Sequence, residues 1–283
     1  IRMKEISKEW AKQLRNDKIK RIGINKSTLT VSYLEKIKKA FPKAKFVDVS
    51  LQLNELRMEK TPEEIRRLTK ACKVTSDAFN ALIQELPRKT LRTEQDVANF
   101  LEKYIQNRNC QLAFPTIVAS GKNAAIPHHV TTNKKLKKGF LLLDFGAKYK
   151  NYHADMSRVL YLGTPNSKEK EFYHLLLNSQ QEAVNAICQD ASCSEIDKLA
   201  RTHLKEYSSY FIHALGHGVG VEIHEHPSFK DEHRKISKNH VFTIEPGIYF
   251  PGKFGLRIED TVLFDGKTKI LTKASKELIS IPF

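Results

Sequence analysis

The chain has 283 residues, 40% of them hydrophobic, and its 48 Lys and Arg against 32 Asp and Glu give a formal net charge of +16. This length and composition predict a globular protein with one large or two modest domains. No apolar run approaches the roughly 18 residues of a membrane span, so we expect no membrane partner. The basic residues are dispersed rather than interleaved with aromatic residues, so we interpret them as solvated helix faces and expect no nucleic-acid partner.

The beginning of the chain and the cysteines bear on location. Residues Ile1 to Glu5 are charged and lack the apolar core of a secretory signal peptide, and the absence of an initial Met is compatible with trimming. The four cysteines form no C-x-x-C pattern and are typical of reduced packing residues. We therefore expect a cytoplasmic location.

The first part of the chain predicts a short α/β unit over residues 1–55, which we interpret as small or truncated. Its predicted elements are a helix over 6–15, a strand at 21–24, an amphipathic helix over 31–41 and a strand at 45–49. We predict that residues 52–60 form a linker and that a second domain spans residues 56–283, so the linker overlaps the start of that domain.

The second domain opens with a clear helix start. Thr61 is a predicted N-cap, followed by Pro62 at the first helical position and by Glu64, and the helix is expected to end at Pro87. Further helices are predicted over 93–108, 168–186 and 194–207. Each half of the domain has helices first and acidic strands last, which predicts an α+β fold of two related halves around one site.

The stretch from Gly139 to Leu162 predicts a hairpin with a turn at residues 148–151. In that register Asp144 and Asp155 face each other, and directly opposed like charges weaken a sheet unless a proton or cation lies between them. A turn displaced by one residue would instead leave one Asp facing solvent.

A second hairpin repeats this arrangement. With a turn at residues 251–253, Glu245 and Glu259 are equidistant from Gly252 and can also face each other. Between the hairpins lies a glycine-rich, histidine-rich stretch, 213–227, which favours a strand or loop over a zinc-binding helix. Four carboxylates with one or more imidazoles favour two divalent ions of the manganese, cobalt or zinc kind over a structural zinc site.

The motifs resemble those of the pita-bread (creatinase/aminopeptidase-like) metallopeptidases, specifically the Xaa-Pro group of prolidase and aminopeptidase P. The matching segments are Ile117 to His129, Leu142 to Arg158, Phe211 to Pro227, Phe242 to Tyr249 and Gly255 to Val262. The resemblance runs from about Thr61 to the end, and the first unit matches the later part of the family's N-terminal domain.

The resemblance implies roles for specific residues. Asp144, Asp155, His217, Glu245 and Glu259 occupy the five metal-ligand positions, and they imply a centre of two ions, of which manganese is the first choice. Asp155 and Glu259 would bridge the ions, and Asp144 would complete one while His217 and Glu245 complete the other. A metal-bridging hydroxide would attack the scissile carbonyl, with Glu245 as proton shuttle.

Five further polar residues receive roles from position or resemblance. His128, rather than the adjacent His129, corresponds to a substrate-contacting histidine, and His213 and His224 to histidines that contact substrate and stabilise the oxyanion. Arg257 shares strand parity with Glu259 and is expected to fix that carboxylate or bind a substrate carboxylate, and Tyr249 is expected at the rim.

The resemblance implies a cytoplasmic homodimer that hydrolyses proline-containing peptides or dipeptides at Xaa-Pro bonds. The residues do not distinguish prolidase from aminopeptidase P. Two alternatives stay open at this point: a methionine aminopeptidase, which has the same five ligands, and a catalytically silent module that binds protein or nucleic acid.

Overall fold

The computed structural model describes residues 19–283, and the predicted helix over 6–15 lies outside them. The described residues divide into two compact units, of which the first ends at Arg57, rather than at the predicted residue 55, and the second spans Met58–Phe283.

In the first unit, β1 (Arg21–Ile24) pairs in parallel with β2 (Lys45–Asp48), and α1 (Val31–Ala40) connects them, as predicted. The predicted linker over residues 52–60 is wrong, because α2 (Ser50–Met58) occupies most of it. That stretch lacks Gly and Pro and consists mainly of Leu, Gln, Glu, Arg and Met, which are strong helix formers.

The second unit alternates helix pairs with groups of strands, in the predicted order. Its helices are α3 (Pro62–Glu85), α4 (Glu94–Gln106), α5 (Ser167–Asn185) and α6 (Cys193–His203). Its strands are β3 (Gln111–Leu112), β4 (Ile117–Ser120), β5 (Gly139–Phe145), β6 (Ala147–Tyr149), β7 (Tyr152–His153), β8 (Met156–Leu162), β9 (His217–Gly218), β10 (Glu225–Ser228), β11 (His240–Ile244), β12 (Gly247–Phe250), β13 (Phe254–Arg257), β14 (Asp260–Phe264), β15 (Thr268–Ile270) and β16 (Ile279–Ile281).

Local sequence explains where the first two of these helices begin. Thr61 and Thr93 each form a capping box, in which the threonine side chain accepts a hydrogen bond from the third helical residue and that residue's carboxylate accepts one in return. Such caps satisfy backbone N–H groups that have no partner within the helix. The helix starts are therefore set locally.

The first acidic hairpin differs from the prediction in register. The turn is the two-residue Lys150-Asn151 pair, with φ of 46° and 71°, and Asp144 pairs with Ser157 rather than with Asp155. Positive φ at both central residues is the requirement of a type I′ turn, which asparagine tolerates well. Because the register differs by an even number of residues, Asp144 and Asp155 still point to the same side.

The second acidic hairpin has the predicted register. Strand β11 pairs with β14 through Ile244 and Asp260, and β12 pairs with β13 through Gly247 and Arg257. Glu245 and Glu259 occupy the break between these two ladders, so they stand at corresponding positions, as predicted.

The central strands β5 and β8 are buried on both faces. Leu141 and Leu143 pack in one hydrophobic cluster with α3 and α4, whereas Phe140 and Leu142 pack in another with α5 and α6. Burial on both faces explains why β5 is a continuous apolar run rather than an alternating one. The two helix pairs thus cover opposite faces, and both halves contribute to the site at the strand ends.

A buried arginine ties the two halves together. Arg158 is 1% exposed and bonds the Asp260 carboxylate at 2.6 Å and the backbone carbonyl oxygens of Glu259 and Ala274. The Asp260 pKa is lowered, because Arg158 and Lys276 outweigh the opposing effect of burial. The position of Glu259 therefore depends on Arg158.

We expect Arg158→Met to lower the free energy of unfolding by about 3–5 kcal/mol, because it leaves the Asp260 charge buried with fewer partners. Chemical denaturation would measure this. The control is Arg66→Met, which removes an exposed ion pair with Glu63 and should leave the free energy of unfolding nearly unchanged. Equal effects of the two substitutions would contradict a structural role for Arg158.

Candidate metal centre

The five predicted ligand residues lie at the ends of strands around one cavity of about 610 Å³. Their places along the chain follow from the strand order. Asp144 is in β5, Asp155 precedes β8, His217 opens β9, Glu245 follows β11 and Glu259 precedes β14. Residues far apart in sequence thus converge because five strands from the two halves end around the same cavity.

The distances define a compact group of ligand atoms. Asp155, His217 and Glu259 each offer one atom within 4.8 Å of the others. His217 Nε2 is 3.3 Å from Glu245 Oε1 and 3.7 Å from Asp155 Oδ2. Nitrogen and carboxylate oxygen at these separations fit a divalent ion of the manganese, cobalt or zinc kind.

Two buried carboxylate oxygens carry the argument for a cation. Asp144 Oδ1 and Glu259 Oε1 have no hydrogen-bond partner among residues 19–283. Asp144 and Glu259 are 8% and 1% exposed, so solvent does not compensate these atoms. A buried anionic oxygen without a partner is costly, and a bound cation would remove that cost.

The pKa shifts report the same crowding of negative charge. Burial raises the pKa of Asp155 well above its ordinary value, and the charge of Glu259 raises it further. Burial and then the charge of Glu245 likewise raise the pKa of Glu259. For Glu245 burial also raises the pKa, but the hydrogen bond from His217 and its charge lower it to about 2.

We expect the stabilisation by added Mn²⁺ to increase as pH rises through the window that begins at the ordinary carboxyl pKa of about 4 and ends at the raised pKa values of Asp155 and Glu259. Because the pKa values of Asp155 and Glu259 are raised in the native state without metal, these carboxyl groups keep protons there that they lose in the unfolded chain. The native state without metal therefore loses stability as pH rises through this window. Cations displace those protons and bind better as pH rises. Melting temperatures with and without Mn²⁺ across the window would measure the difference, and a constant difference would contradict the argument.

Arg257 connects the centre to the cavity wall. It is 3% exposed, forms a salt bridge with Asp144 Oδ2 and donates to the Tyr249 hydroxyl at 2.7 Å. It also donates to Ser157 Oγ at 2.7 Å, and Ser157 in turn donates to Glu259 Oε2 at 2.7 Å. Arg257 thereby fixes two ligand carboxylates.

His213 is held at both ring nitrogens. Its Nδ1 is 2.9 Å from the Ala214 carbonyl oxygen and its Nε2 is 2.9 Å from the Tyr249 hydroxyl. Since a carbonyl oxygen only accepts, Nδ1 carries the proton and Nε2 accepts from Tyr249. Burial lowers the His213 pKa, which agrees with a neutral ring.

The adjacent histidines 128 and 129 differ in surroundings. His129 is 8% exposed and its Nε2 lies 3.0 Å from the buried Glu94 carboxylate, whereas the exposed His128 lines the cavity. His224 is also exposed and lines the cavity, with its ring centroid 4.3 Å from that of His217. His128 and His224 can therefore reach a ligand.

Several supporting residues were not found from the sequence. Ser157 joins Arg257 to Glu259, Thr243 Oγ1 donates to Glu245 Oε1 at 3.1 Å, and Thr261 Oγ1 donates to the Asp155 carbonyl oxygen at 2.7 Å. Ser157 and Thr243 each lie two positions from a ligand, on the same strand face, and this parity could have identified them. Glu94, which accepts bonds from Ser120 and Asn123, gave no comparable indication.

This fold and this centre, with an open cavity beside carboxylate and imidazole ligands, define a metal-dependent peptidase. The sequence profile of Metallopeptidase family M24 matches residues 66–265, and that of the Creatinase/Prolidase N-terminal domain matches residues 2–59. The chain belongs to metallopeptidase family M24. The resemblance to pita-bread peptidases of the Xaa-Pro group and the predicted α+β fold are thereby confirmed.

Individual relatives are similar over most of their length. The chain is 39% identical over 264 residues to the Xaa-Pro dipeptidase of Pyrococcus furiosus, covering 91% of this chain and 75% of that protein. The crystal structure of the prolidase from Pyrococcus horikoshii OT3 aligns with a TM-score of 0.89 at 37% identity, covering 96% of this chain and 78% of that one. The X-Pro aminopeptidase of Thermotoga maritima MSB8 aligns with a TM-score of 0.89 at 33% identity, covering 96% and 79%.

Among the described residues, none of the helices combines the length and the apolar character needed to cross a membrane. All four cysteines are in this part of the chain and are free thiols.

Proposed function

We propose that this chain is a peptidase that hydrolyses Xaa-Pro bonds with two divalent ions at the centre formed by Asp144, Asp155, His217, Glu245 and Glu259. The observation that carries the proposal is the pair of buried carboxylate oxygens, on Asp144 and Glu259, that have no hydrogen-bond partner within residues 19–283. Relatives at 39% and 38% identity named Xaa-Pro dipeptidase support the substrate class.

The ligand set supports two ions rather than one. Asp155, His217 and Glu259 form one compact group, and Asp144 and Glu245 add two further carboxylates at the same cavity. Asp155 and Glu259 would bridge, Asp144 would complete one site, and His217 with Glu245 the other. Manganese is our first choice, and cobalt and zinc share the ligand preference. Two divalent ions supply Lewis-acid polarisation of a carbonyl and a water of lowered pKa.

Glu245 is the proposed proton acceptor. Thr243 Oγ1 donates to one of its oxygens and His217 Nε2 lies 3.3 Å from the same oxygen, and its other oxygen has no hydrogen bond among residues 19–283. Burial raises the pKa of Glu245, but the hydrogen bond and charge of His217 lower it to about 2, so the side chain is an ionised carboxylate with oxygen lone pairs. It would take the proton of the attacking water and return it to the leaving proline nitrogen.

The histidines divide into two roles. His128 and His224, exposed to the cavity, would donate to substrate oxygens, with His224 stabilising the oxyanion. His213 has both ring nitrogens engaged within the protein, so we assign it the positioning of Tyr249, which Arg257 also holds.

Proline-containing dipeptides and longer peptides are both proposed substrates, since the similar solved structures include a prolidase and an X-Pro aminopeptidase. We also propose a homodimer. A cytoplasmic location is proposed from the free cysteines, three of which are buried as packing residues.

The test is hydrolysis of Xaa-Pro, Xaa-Pro-Xaa and Met-Ala peptides by protein loaded with manganese, cobalt or zinc, together with elemental analysis. We expect cleavage of Xaa-Pro bonds and two ions per chain. Preferential cleavage of Met-Ala would indicate a methionine aminopeptidase, and metal binding without hydrolysis would indicate a silent module. Light scattering would test the dimer.

We expect His224→Ala to lower kcat and kcat/KM together by about 10²–10³, with little change in KM, because one oxyanion donor is lost. A tertiary Xaa-Pro amide has no N–H to orient it, so donors to its carbonyl matter more. Steady-state kinetics on an Xaa-Pro peptide would measure this.

The control for that substitution is His174→Ala, at an exposed position on α5 that does not line the cavity. Its kinetics should match those of the parent. If His224→Ala instead loses metal or melts early, while the folded and metal-loaded fraction turns over normally, then His224 is structural.

A further inference from the structure

The cavity at the metal centre continues along helix α4. Gln95 and Glu102 both line it, and they lie about two helical turns, or about 10 Å, apart on one face of that helix. Phe114, Pro115 and Ile117 line the cavity beside them. We call this part of the cavity lining, formed by Gln95, Glu102, Phe114, Pro115 and Ile117, the limb; it combines apolar side chains with one carboxylate.

The Glu102 carboxylate is available to a ligand. The residue is half-buried, and its side chain forms no hydrogen bond or ion pair with any residue in the described range 19–283. Gln95 is engaged with Asn99, to which its Nε2 donates at 2.9 Å. A partly desolvated carboxylate beside apolar side chains attracts a cation more strongly than one in bulk water.

The charges of the cavity decide which end of a substrate this limb receives. Arg257 is the only Lys or Arg that lines the cavity within residues 19–283, and it is already bonded to Asp144 and Tyr249. The limb therefore repels the free carboxylate on the proline side of a dipeptide. The Xaa residue lies on the other side of the scissile bond and has two groups that could enter the limb, its side chain and its free amine.

We propose that Glu102 makes the enzyme select substrates with a cationic Xaa residue, Lys-Pro or Arg-Pro, over those with a neutral or acidic one. This inference rests on the proposed Xaa-Pro peptidase activity. Glu102 is a specificity residue in this proposal, outside the catalytic machinery, since it belongs to α4 and not to the strands that carry the ligands.

The test compares kcat/KM for Lys-Pro, norleucine-Pro and Glu-Pro with the manganese-loaded full chain. Lys and norleucine have similar length and differ in the side-chain cation, and both dipeptides have the same free amine. We expect about a fivefold preference for Lys-Pro over norleucine-Pro, as for a partly exposed ion pair. Glu102→Gln should abolish this preference, and Glu102→Lys should shift it towards Glu-Pro. Added salt should weaken the preference of the parent.

The matched control is Glu182→Gln, which removes the same charge from an exposed position on α5 outside the cavity and should leave the preference unchanged. Equal loss for Lys-Pro and norleucine-Pro in Glu102→Gln would mean that Glu102 binds the substrate amine or supports the fold, and it would overturn the inference. An unchanged preference in Glu102→Gln would also overturn it, while leaving the Xaa-Pro activity in place. Failure of the parent to cleave any of the three dipeptides or longer Xaa-Pro peptides would overturn the proposed function and this inference with it.

Discussion

Exhaustive removal of divalent metal is expected to abolish peptide hydrolysis and to lower the melting temperature. Asp144 Oδ1 and Glu259 Oε1 are buried without a partner in the described part of the chain, and the four carboxylates proposed as ligands line one cavity. Without cations these charges repel each other at low local dielectric. Binding to the native state alone stabilises by about 4 kcal/mol at a thousandfold excess of metal over Kd, which is on the order of 10 °C for a domain of this size.

Differential scanning calorimetry and a peptide-cleavage assay, before and after chelation, would measure both effects. Restoring Mn²⁺ should recover activity and melting temperature together. Full turnover in a sample that elemental analysis shows to be metal-free would rule out a catalytic metal. A loss of turnover with no change in melting temperature would show that repulsion among the buried carboxylates does not destabilise the fold.

Glu245→Gln is expected to lower kcat by about 10²–10⁴, the usual loss for a missing general base. The amide keeps a carbonyl oxygen that can bind a cation, but it cannot accept the proton of the attacking water.

The measurement is steady-state turnover at saturating manganese, with metal content determined on the same sample and at least one ion retained per chain. Glu171→Gln, at an exposed position on α5, is the matched control and should behave like the parent. Near-normal turnover of Glu245→Gln would assign the proton transfer to another residue. Loss of all metal would mean that the substitution tests binding rather than proton transfer.

How much could be predicted from the sequence differs between the two acidic hairpins. The turn between β12 and β13 is marked by Pro251 and Gly252, so its centre, and with it the facing of Glu245 and Glu259, could be read directly. The first hairpin has no proline or glycine in its turn. Its two-residue turn at Lys150-Asn151 requires positive φ at both positions, which the residue types permit but do not specify.

A glycine outside that turn also affects the first hairpin. A Cβ at Gly146 would lie 1.8 Å from the Ala154 carbonyl oxygen, so the chain approaches itself closely just where the ladder passes from the β5–β8 sheet to the β6–β7 sheet. The position of this approach depends on how the two sheets pack. The predicted register was wrong because the sequence does not show where this close approach falls. The prediction that Asp144 and Asp155 lie on the same side of the hairpin did not depend on it, since the two registers differ by an even number of residues.

By itself the sequence determined what depends on neighbouring residues. Thr61 and Thr93 set the starts of α3 and α4, because a capping box is completed within four residues. The residue types at Asp144, Asp155, His217, Glu245 and Glu259 determined the kind of centre, because oxygen and imidazole ligands select divalent ions.

Only the tertiary structure decided what depends on distant partners. The bond from Arg257 to Asp144 joins residues 113 positions apart, and that from Arg158 to Asp260 joins residues 102 positions apart. His129 differs from His128 because it pairs with Glu94, and this pairing arises only when helices pack on strands. The placement of Glu102 in the cavity has the same origin. The physical reason is that a side chain's partner is set by the packing of whole elements, and local propensity carries no information about it.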